Sequence, residues 1–314
     1  MSTLLFRPFK ASDAKTVSSL FRQVYGDHYV LPDVYLPALI TQHNSDGRWQ
    51  SMLAVDGSRV VGHAALCRHT LHPEHAELAL SVVHHDSQGQ GIATRLGHEL
   101  IEQAAPAARQ LLIKQVTQHP YTQRMAESLG FHCTGLLPDY VPSPFAEPWA
   151  ESIVIGVHLR NGYTRPLPDV AWPRSCRAFM RHLCSVFGTT REAPWGPIPS
   201  LQMKQHHKRV DVIIGRLTLD FLQQLIQLPE DWLISVRLTL SRGFARDLHA
   251  MSAKGFTFTG VIPAPGQVHW FALFHRGAQA RPLNLHCAHM QQLQDNLTFA
   301  TAPLVGGGAS HLRP

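Results

Sequence analysis

The sequence predicts an α/β fold built on a mixed sheet, in two halves, the second repeating part of the first. Three observations lead there. The 314 residues are 44% hydrophobic and 16% charged, which suits a globular protein of two ordinary domains. Period-two and period-3.6 apolar patterns alternate along the chain. The nonapeptide GFHCTGLLP at 130–138 returns as GFTFTGVIP at 255–263, identical at five of nine positions.

The elements follow in order. LLFRPFK (4–10) reads as an opening strand, and Ser12 or Asp13 can cap a helix with Val17, Leu20, Phe21 and Val24 on one face. A short helix is expected over Tyr35–Gln42. Strands Gln50–Asp56 and Arg59–Cys67 join at Asp56-Gly57, a hairpin signal. Ala76–His84 is a third strand, followed by DSQGQGIA and a helix over Gly91–Ala104. Then come a strand (Leu111–Thr117), a helix (Tyr121–Leu129), a strand from Phe131 and a strand at Ile153–Leu159. These make up a first domain, 1–160. Prolines mark 161–173 as a linker. The second domain, 174–300, has a helix at Ser175–Phe187, an irregular stretch at 188–199 and a strand at Val210–Arg216. A helix at Leu219–Gln227, a strand at Trp232–Leu240 and a helix at Ala245–Lys254 follow. Strands at Phe256–Ile262 and His269–His275 precede a helix from about Leu285, and 301–314 reads as a flexible tail.

Charge divides by halves. Residues 1–160 carry 12 Lys and Arg against 14 Asp and Glu, and residues 161–314 carry 16 against 8, so the excess of +6 lies in the second half. These cations are scattered, which describes a solvated basic face; without a basic run interleaved with aromatics, a nucleic-acid partner is not expected. No apolar run approaches the roughly 20 residues of a membrane span. MSTLLFRPFKASD has too short an apolar stretch for a secretory signal, so a cytoplasmic protein is expected. Five cysteines without a CxxC read as reduced and mostly buried. Of the 21 histidines, only His286-Cys287-Ala288-His289 forms a tempting cluster, and no metal is expected.

The chemistry concentrates in VVHHDSQGQGIATRL (82–96). A strand enters a turn with Gly89 and Gly91, and a helix starts at once. Its first backbone N–H groups have no helical acceptors, and the glycines remove side chains from their path, which suits a pyrophosphate. The pattern Gln88-x-x-Gly91-x-Ala93 after a strand resembles the acetyl-CoA motif of the Gcn5-related N-acetyltransferase (GNAT) superfamily, and Leu129-Gly130-Phe131 resembles that family's mark after its fourth main helix. Residues 3–159 follow the family's order of elements.

The resemblance implies an acyl-CoA N-acyltransferase fold and an enzyme that moves an acetyl group from acetyl-CoA, or another acyl group from its CoA thioester, to a primary amine of a small molecule by direct attack. It implies pantetheine along Val82, Val83 and His84, and pyrophosphate on the N–H groups of Gln88, Gly89, Gln90, Gly91, Ile92 and Ala93 with the Thr94 hydroxyl. An N–H near Val83 would polarise the thioester. Glu77 matches a position of a catalytic or water-bridging glutamate, and strand alternation puts it on one face with Ala79, Ser81 and Val83. The family's proton-donating tyrosine is replaced by Ala126. His119 and Tyr121 are the remaining donors. The second half looks like a degenerate copy, since Arg216 stands where its phosphate loop should be. A protein that senses acyl-CoA without turnover is the alternative. Acceptor specificity is expected in residues 25–48 and 139–150.

Overall fold

The computed structural model describes residues 4–144, 147–192, 199–279 and 281–301. The expected tail lies outside them, except for residue 301. In the first half, β1 (Leu5–Pro8), α1 (Ala14–Tyr25), α2 (Pro37–Ser45), β2 (Trp49–Asp56), β3 (Arg59–Arg68) and β4 (His75–Val83) lead to α3 (Ile92–Glu102). Then follow β5 (Gln110–Val116), α4 (Tyr121–Ser128), β6 (His132–Val141) and β7 (Glu151–Leu159). Beyond them lie β8 (Leu167–Pro168), α5 (Arg177–Phe187), β9 (Thr189–Thr190), β10 (Leu201–His206), β11 (Arg209–Ile214) and α6 (Leu219–Ile226). The chain closes with β12 (Leu233–Thr239), α7 (Phe244–Ser252), β13 (Thr257–Pro263), β14 (Trp270–Arg276) and α8 (Ala288–Thr301). No helix among the described residues is long and apolar enough to cross a membrane.

Among the described residues twelve strands form one continuous sheet in the order β1-β2-β3-β4-β5-β7-β6-β13-β14-β12-β11-β10. At its centre β6 meets β13 antiparallel, through Gly135 opposite Gly260. These are the sixth residues of the two similar nonapeptides, so the repeat pairs with itself. Antiparallel contact between equivalent residues is the geometry of a two-fold interface. Outward from that seam the two sides match. β6–β7 and β13–β14 are antiparallel, as are β7–β5 and β14–β12, whereas β4–β5 and β11–β12 are parallel. β3 and β10 then flank the parallel pairs antiparallel. The seam requires glycine. A Cβ on Gly260, whose φ is +116°, would meet the Thr134 carbonyl, and one on Gly135 would come within 2.8 Å of Leu273.

Apolar burial fills both faces. Val17, Leu20 and Phe21 of α1 pack with Leu53, Leu80 and Val82 on one side of the first half. Leu96 and Leu100 of α3 pack with Leu78, Leu111 and Ile113 on the other. A third core runs from Leu136 and Ile153 through Phe179, Phe244, Phe258 and Trp270, across the seam. The proline-marked stretch 161–173 contributes to this packing: Arg165, Leu167 and Trp172 are buried. The Arg165 guanidinium donates to Gln110 Oε1 (2.9 Å) and to the carbonyls of Ala264, Gln267 and His269 (2.5–2.7 Å). Burial lowers its pKa to about 10.

Three expectations need correction. Asp13 does not cap α1 with its side chain; its carboxylate accepts from Lys10 N and binds Arg7 at 2.7 and 2.8 Å. β10 is an unexpected strand, because LQMKQH leaves nearly every side chain exposed and so has no apolar alternation. Only Cys176 among the cysteines is fully buried; the other four sit half-buried at the rims of the cores.

Candidate active site

The parallel ladder between β4 and β5 spans His75–Leu78 against Gln110–Ile113 and then stops. Past that point the strands separate, and the gap opens into two adjoining cavities. The outer one, about 540 Å³, is lined by Val82, Val83, Gln88, Gly89, Gly91, Ile92, Ala93 and Thr94, with His119 and Tyr121 on its far wall. The inner one, about 640 Å³, reaches Glu77, Lys114, Tyr25, Tyr29, Trp49 and Tyr140. Tyr25, Ser81, Ala93, His119, Thr122 and Met125 border both.

The glycine turn is shaped as its sequence predicts. Gly89 and Gly91 have φ of +75° and +72°, and Gly91 is the N-cap of α3. No atom lies within 4 Å of a Cβ built on Gly91, so the protein itself leaves the space open and the backbone conformation alone selects glycine there. Arg95 N–H bonds the Gly91 carbonyl at 3.0 Å. The N–H groups of Ile92, Ala93 and Thr94 therefore precede the helical ladder and face the outer cavity with the positive end of the helix dipole. Gln88 turns its side chain back to the Val83 carbonyl at 3.2 Å. His84 and Gln90 do not line the cavity. His84 instead faces Arg59 and accepts from Asp86 N.

Alternation along β4 breaks. Leu80 has φ +55°, and the register against β3 shifts between His63–Val82 and Ala65–Ala79, which marks a bulge. Leu78 faces the α3 core, whereas Leu80 and Val82 face the α1 core. Val83 packs against the α3 core, so it does not share a face with Glu77 and Ala79 as strict alternation predicts. The buried His63 ring lies against the bulge, its Nδ1 sitting 2.8 Å from the Leu80 carbonyl.

Glu77 lines the inner cavity, where Lys114 Nζ donates to its Oε2 at 2.9 Å. Burial works against the Lys114 charge, yet Glu77 beside it holds the ammonium pKa above its ordinary value. Tyr25 lies at the junction, its hydroxyl 3.5 Å from the Ser81 carbonyl; burial, with Tyr35 nearby, pushes the phenol up to about 12. The protonated hydroxyl is therefore the form present at neutral pH. His119 and Tyr121 stack loosely, ring centroids 5.0 Å apart, but Tyr121 is 69% exposed and His119 borders both cavities. Ala126 is buried in the α3 core and offers no donor.

The places of Lys114 beside Glu77 and of Tyr25 at the junction escape sequence reasoning. Lys114 is the lone charged residue in a strand segment, LLIKQV, that otherwise reads largely as core; Tyr25 stands out only as one aromatic in a segment rich in them. The His286–His289 cluster is spent on other contacts: His286 Nε2 pairs with Glu127 at 2.9 Å, and His289 stacks on His182. Among the described residues no group of three or more His, Cys, Asp or Glu is placed to hold a metal.

Residues 27–137 match the family model described as an acetyltransferase (GNAT) domain. No curated protein matches the chain. Among solved structures, the chain is similar to yncA of Salmonella typhimurium, described as an acetyltransferase with its cofactor acetyl-CoA. The identity is 17%, over 52% of this chain and 98% of that one, with a TM-score of 0.45. It is also similar to an N-acetyltransferase of Staphylococcus aureus Mu50 (16%, 50% and 99%, TM-score 0.44). A ribosomal-protein-alanine N-acetyltransferase of Brucella melitensis is similar to the same extent (19%, 50% and 99%, TM-score 0.44).

Proposed function

The chain carries a domain of the GNAT acetyltransferase family in its first half, and from that premise we propose that it is an acyl-CoA-dependent N-acyltransferase. It moves the acetyl group of acetyl-CoA to a primary amine of a small molecule. The observation that carries this reading is the junction of two cavities at the β4–β5 gap. One is lined by a glycine turn at a helix N-terminus, the other by a carboxylate.

Acetyl-CoA supplies an acyl group activated as a thioester. The residues fit it: the N–H groups of Gly89 and of Gly91, Ile92, Ala93 and Thr94 would receive the pyrophosphate. The edge of β4 after Leu78, which has no strand partner there, would receive the pantetheine amides. An N–H near Val83 would stabilise the oxyanion as the amine adds to the carbonyl. The amine nitrogen forms a bond to the carbonyl carbon, its proton passes to Glu77, and the C–S bond breaks. The departing sulfur takes a proton from His119 or from Tyr25, which faces the junction from α1. Tyr121, exposed at the outer rim, ranks third.

The second half serves as an acetyltransferase-like repeat without a CoA site. Its parallel pair β11–β12 stays bonded over six residues, Arg209–Ile214 against Leu233–Leu238, so no gap opens for pantetheine. Gly215-Arg216 follows β11 where the first half has its glycine turn. Titration calorimetry with acetyl-CoA tests the reading: one site per chain is expected, and two sites or none would overturn it. The second reading, a sensor that binds acyl-CoA without turnover, is favoured by Ala126 in place of a tyrosine. Thiol release that stays at background with every amine, while binding persists, would select it.

A further inference from the structure

We infer that the acceptor is an α-amino acid with an apolar or aromatic side chain; this rests on the N-acyltransferase reading. The inner cavity holds one ion pair, Glu77 with Lys114 at 2.9 Å. Among the described residues these are its only Asp, Glu, Lys or Arg side chains, so it is electroneutral when occupied by nothing else. The rest of the wall is largely apolar and aromatic, including Tyr25, Tyr29, Trp49 and Ile153.

Charge matching selects among amines. A polyamine would bring two or more cations to a wall with one carboxylate already paired, and the surplus charge would be desolvated without a partner. A simple monoamine would match Glu77 but leave Lys114 without further compensation. An α-amino acid brings both charges in the right spacing. Standard bond lengths put its nitrogen and nearest carboxylate oxygen roughly 3 Å apart, close to the 2.9 Å of the Glu77–Lys114 pair. Laid antiparallel against that pair, its ammonium meets the Glu77 carboxylate and its carboxylate meets the Lys114 ammonium. The pair need not break, because an ammonium has three donors and a carboxylate two acceptor oxygens. The same geometry sets the amine on the group that takes its proton. The remaining volume, within about 640 Å³ that the thioester end must share, accommodates a large apolar side chain against the tyrosines.

The test uses the full chain with acetyl-CoA and three probes: L-phenylalanine, phenethylamine and spermidine. L-phenylalanine is expected to exceed phenethylamine in kcat/KM by about 10-fold to 100-fold, since a site built for a charged group rejects the analogue lacking it. Spermidine is expected to be the poorest. Lys114→Met should collapse the phenylalanine-to-phenethylamine ratio towards one, and Lys114→Arg should restore part of it. A wild-type preference for phenethylamine or spermidine, or an unchanged ratio in Lys114→Met, would overturn the inference. Should no probe be acetylated, calorimetry of L-phenylalanine into the CoA-loaded protein decides separately. Binding lost in Lys114→Met sustains the amino-acid site while the transferase reading fails; absence of binding overturns the site as well.

Discussion

At the scale of residues, Gly91 and Glu77 are the positions at which binding and chemistry should separate. Gly91 sits at φ +72°, where a β-branched residue is strained by roughly 1–2 kcal/mol. Its Cβ would also project into space that the protein leaves open beside the first helical N–H groups. Gly91→Val should weaken acetyl-CoA binding by at least about tenfold, and calorimetry on a variant with an unchanged melting curve checks it. Glu77→Gln should instead keep CoA affinity and slow transfer at neutral pH by on the order of 10²–10⁴-fold, the usual worth of a general base. The deficit should narrow at high pH, where more of the amine is already neutral. A wild-type rate at pH 7 would hand the proton to another group. Here the sequence was legible to the motif and no further. Gln88, Gly91 and Ala93 announce the turn, but the bulge at Leu80, which lies against the distant His63 ring, breaks the period in a way that alternation cannot foresee.

At the scale of elements, contacts distant in sequence do the positioning. Arg165 ties the start of the second half to β5 through Gln110 and to the loop between β13 and β14 through three carbonyls. Arg165→Met would take the donor from Gln110 Oε1 and the Gln267 carbonyl, while the Ala264 and His269 carbonyls keep backbone N–H donors from Gln267 and Ala264; leaving a buried neutral acceptor without its donor costs about 1–3 kcal/mol. Urea denaturation should report a loss of that order. A loss below about 1 kcal/mol would mean that water replaces the guanidinium. Around α4, Gln123 bonds the carbonyls of Val116 and Asn284 and accepts from His286 N, so the segment before α8 braces the helix that follows His119. None of these contacts leaves a periodic trace. Helices such as α1, α3 and α6, whose apolar residues recur on one face, were readable; β10 and the 283–287 brace were not, since neither buries a patterned face.

At the scale of the whole molecule, the repeat that stands out in the sequence is the seam that joins its halves. A chain ending at residue 160 would bare the β6 edge and the apolar residues, Leu136, Ile153 and Val157 among them, that belong to the shared core. It should aggregate where the full chain stays dispersed; light scattering of a monodisperse, folded fragment would contradict this.

Acid sensitivity also belongs to this scale. Burial lowers His63 and His75 to about 4 and His275 to about 3. In the unfolded chain all three would titrate near 6.5. The unfolded state therefore binds more protons below that value. The stability gained from keeping these rings neutral is complete above about pH 6.5 and falls as pH drops towards about 4, by at most about 4 kcal/mol per pH unit for three groups. Denaturation midpoints measured from pH 7.5 to 5, before the carboxylates titrate, should fall steadily, and His63→Phe should flatten the slope. A flat profile across that range would mean that the rings are hydrated or protonated in the native state.

On the N-acyltransferase reading, an amine meets a thioester at the junction of the two cavities. The most direct test is the release of free thiol from acetyl-CoA by the full chain, with and without a mixture of the twenty amino acids, simple primary amines and polyamines. Mass spectrometry of the reaction identifies the product. Thiol release should depend on the mixture, an N-acetylated product should form in equal amount, and both should be lost in Gly91→Val. Bound acetyl-CoA with thiol release at background in every mixture would contradict that reading.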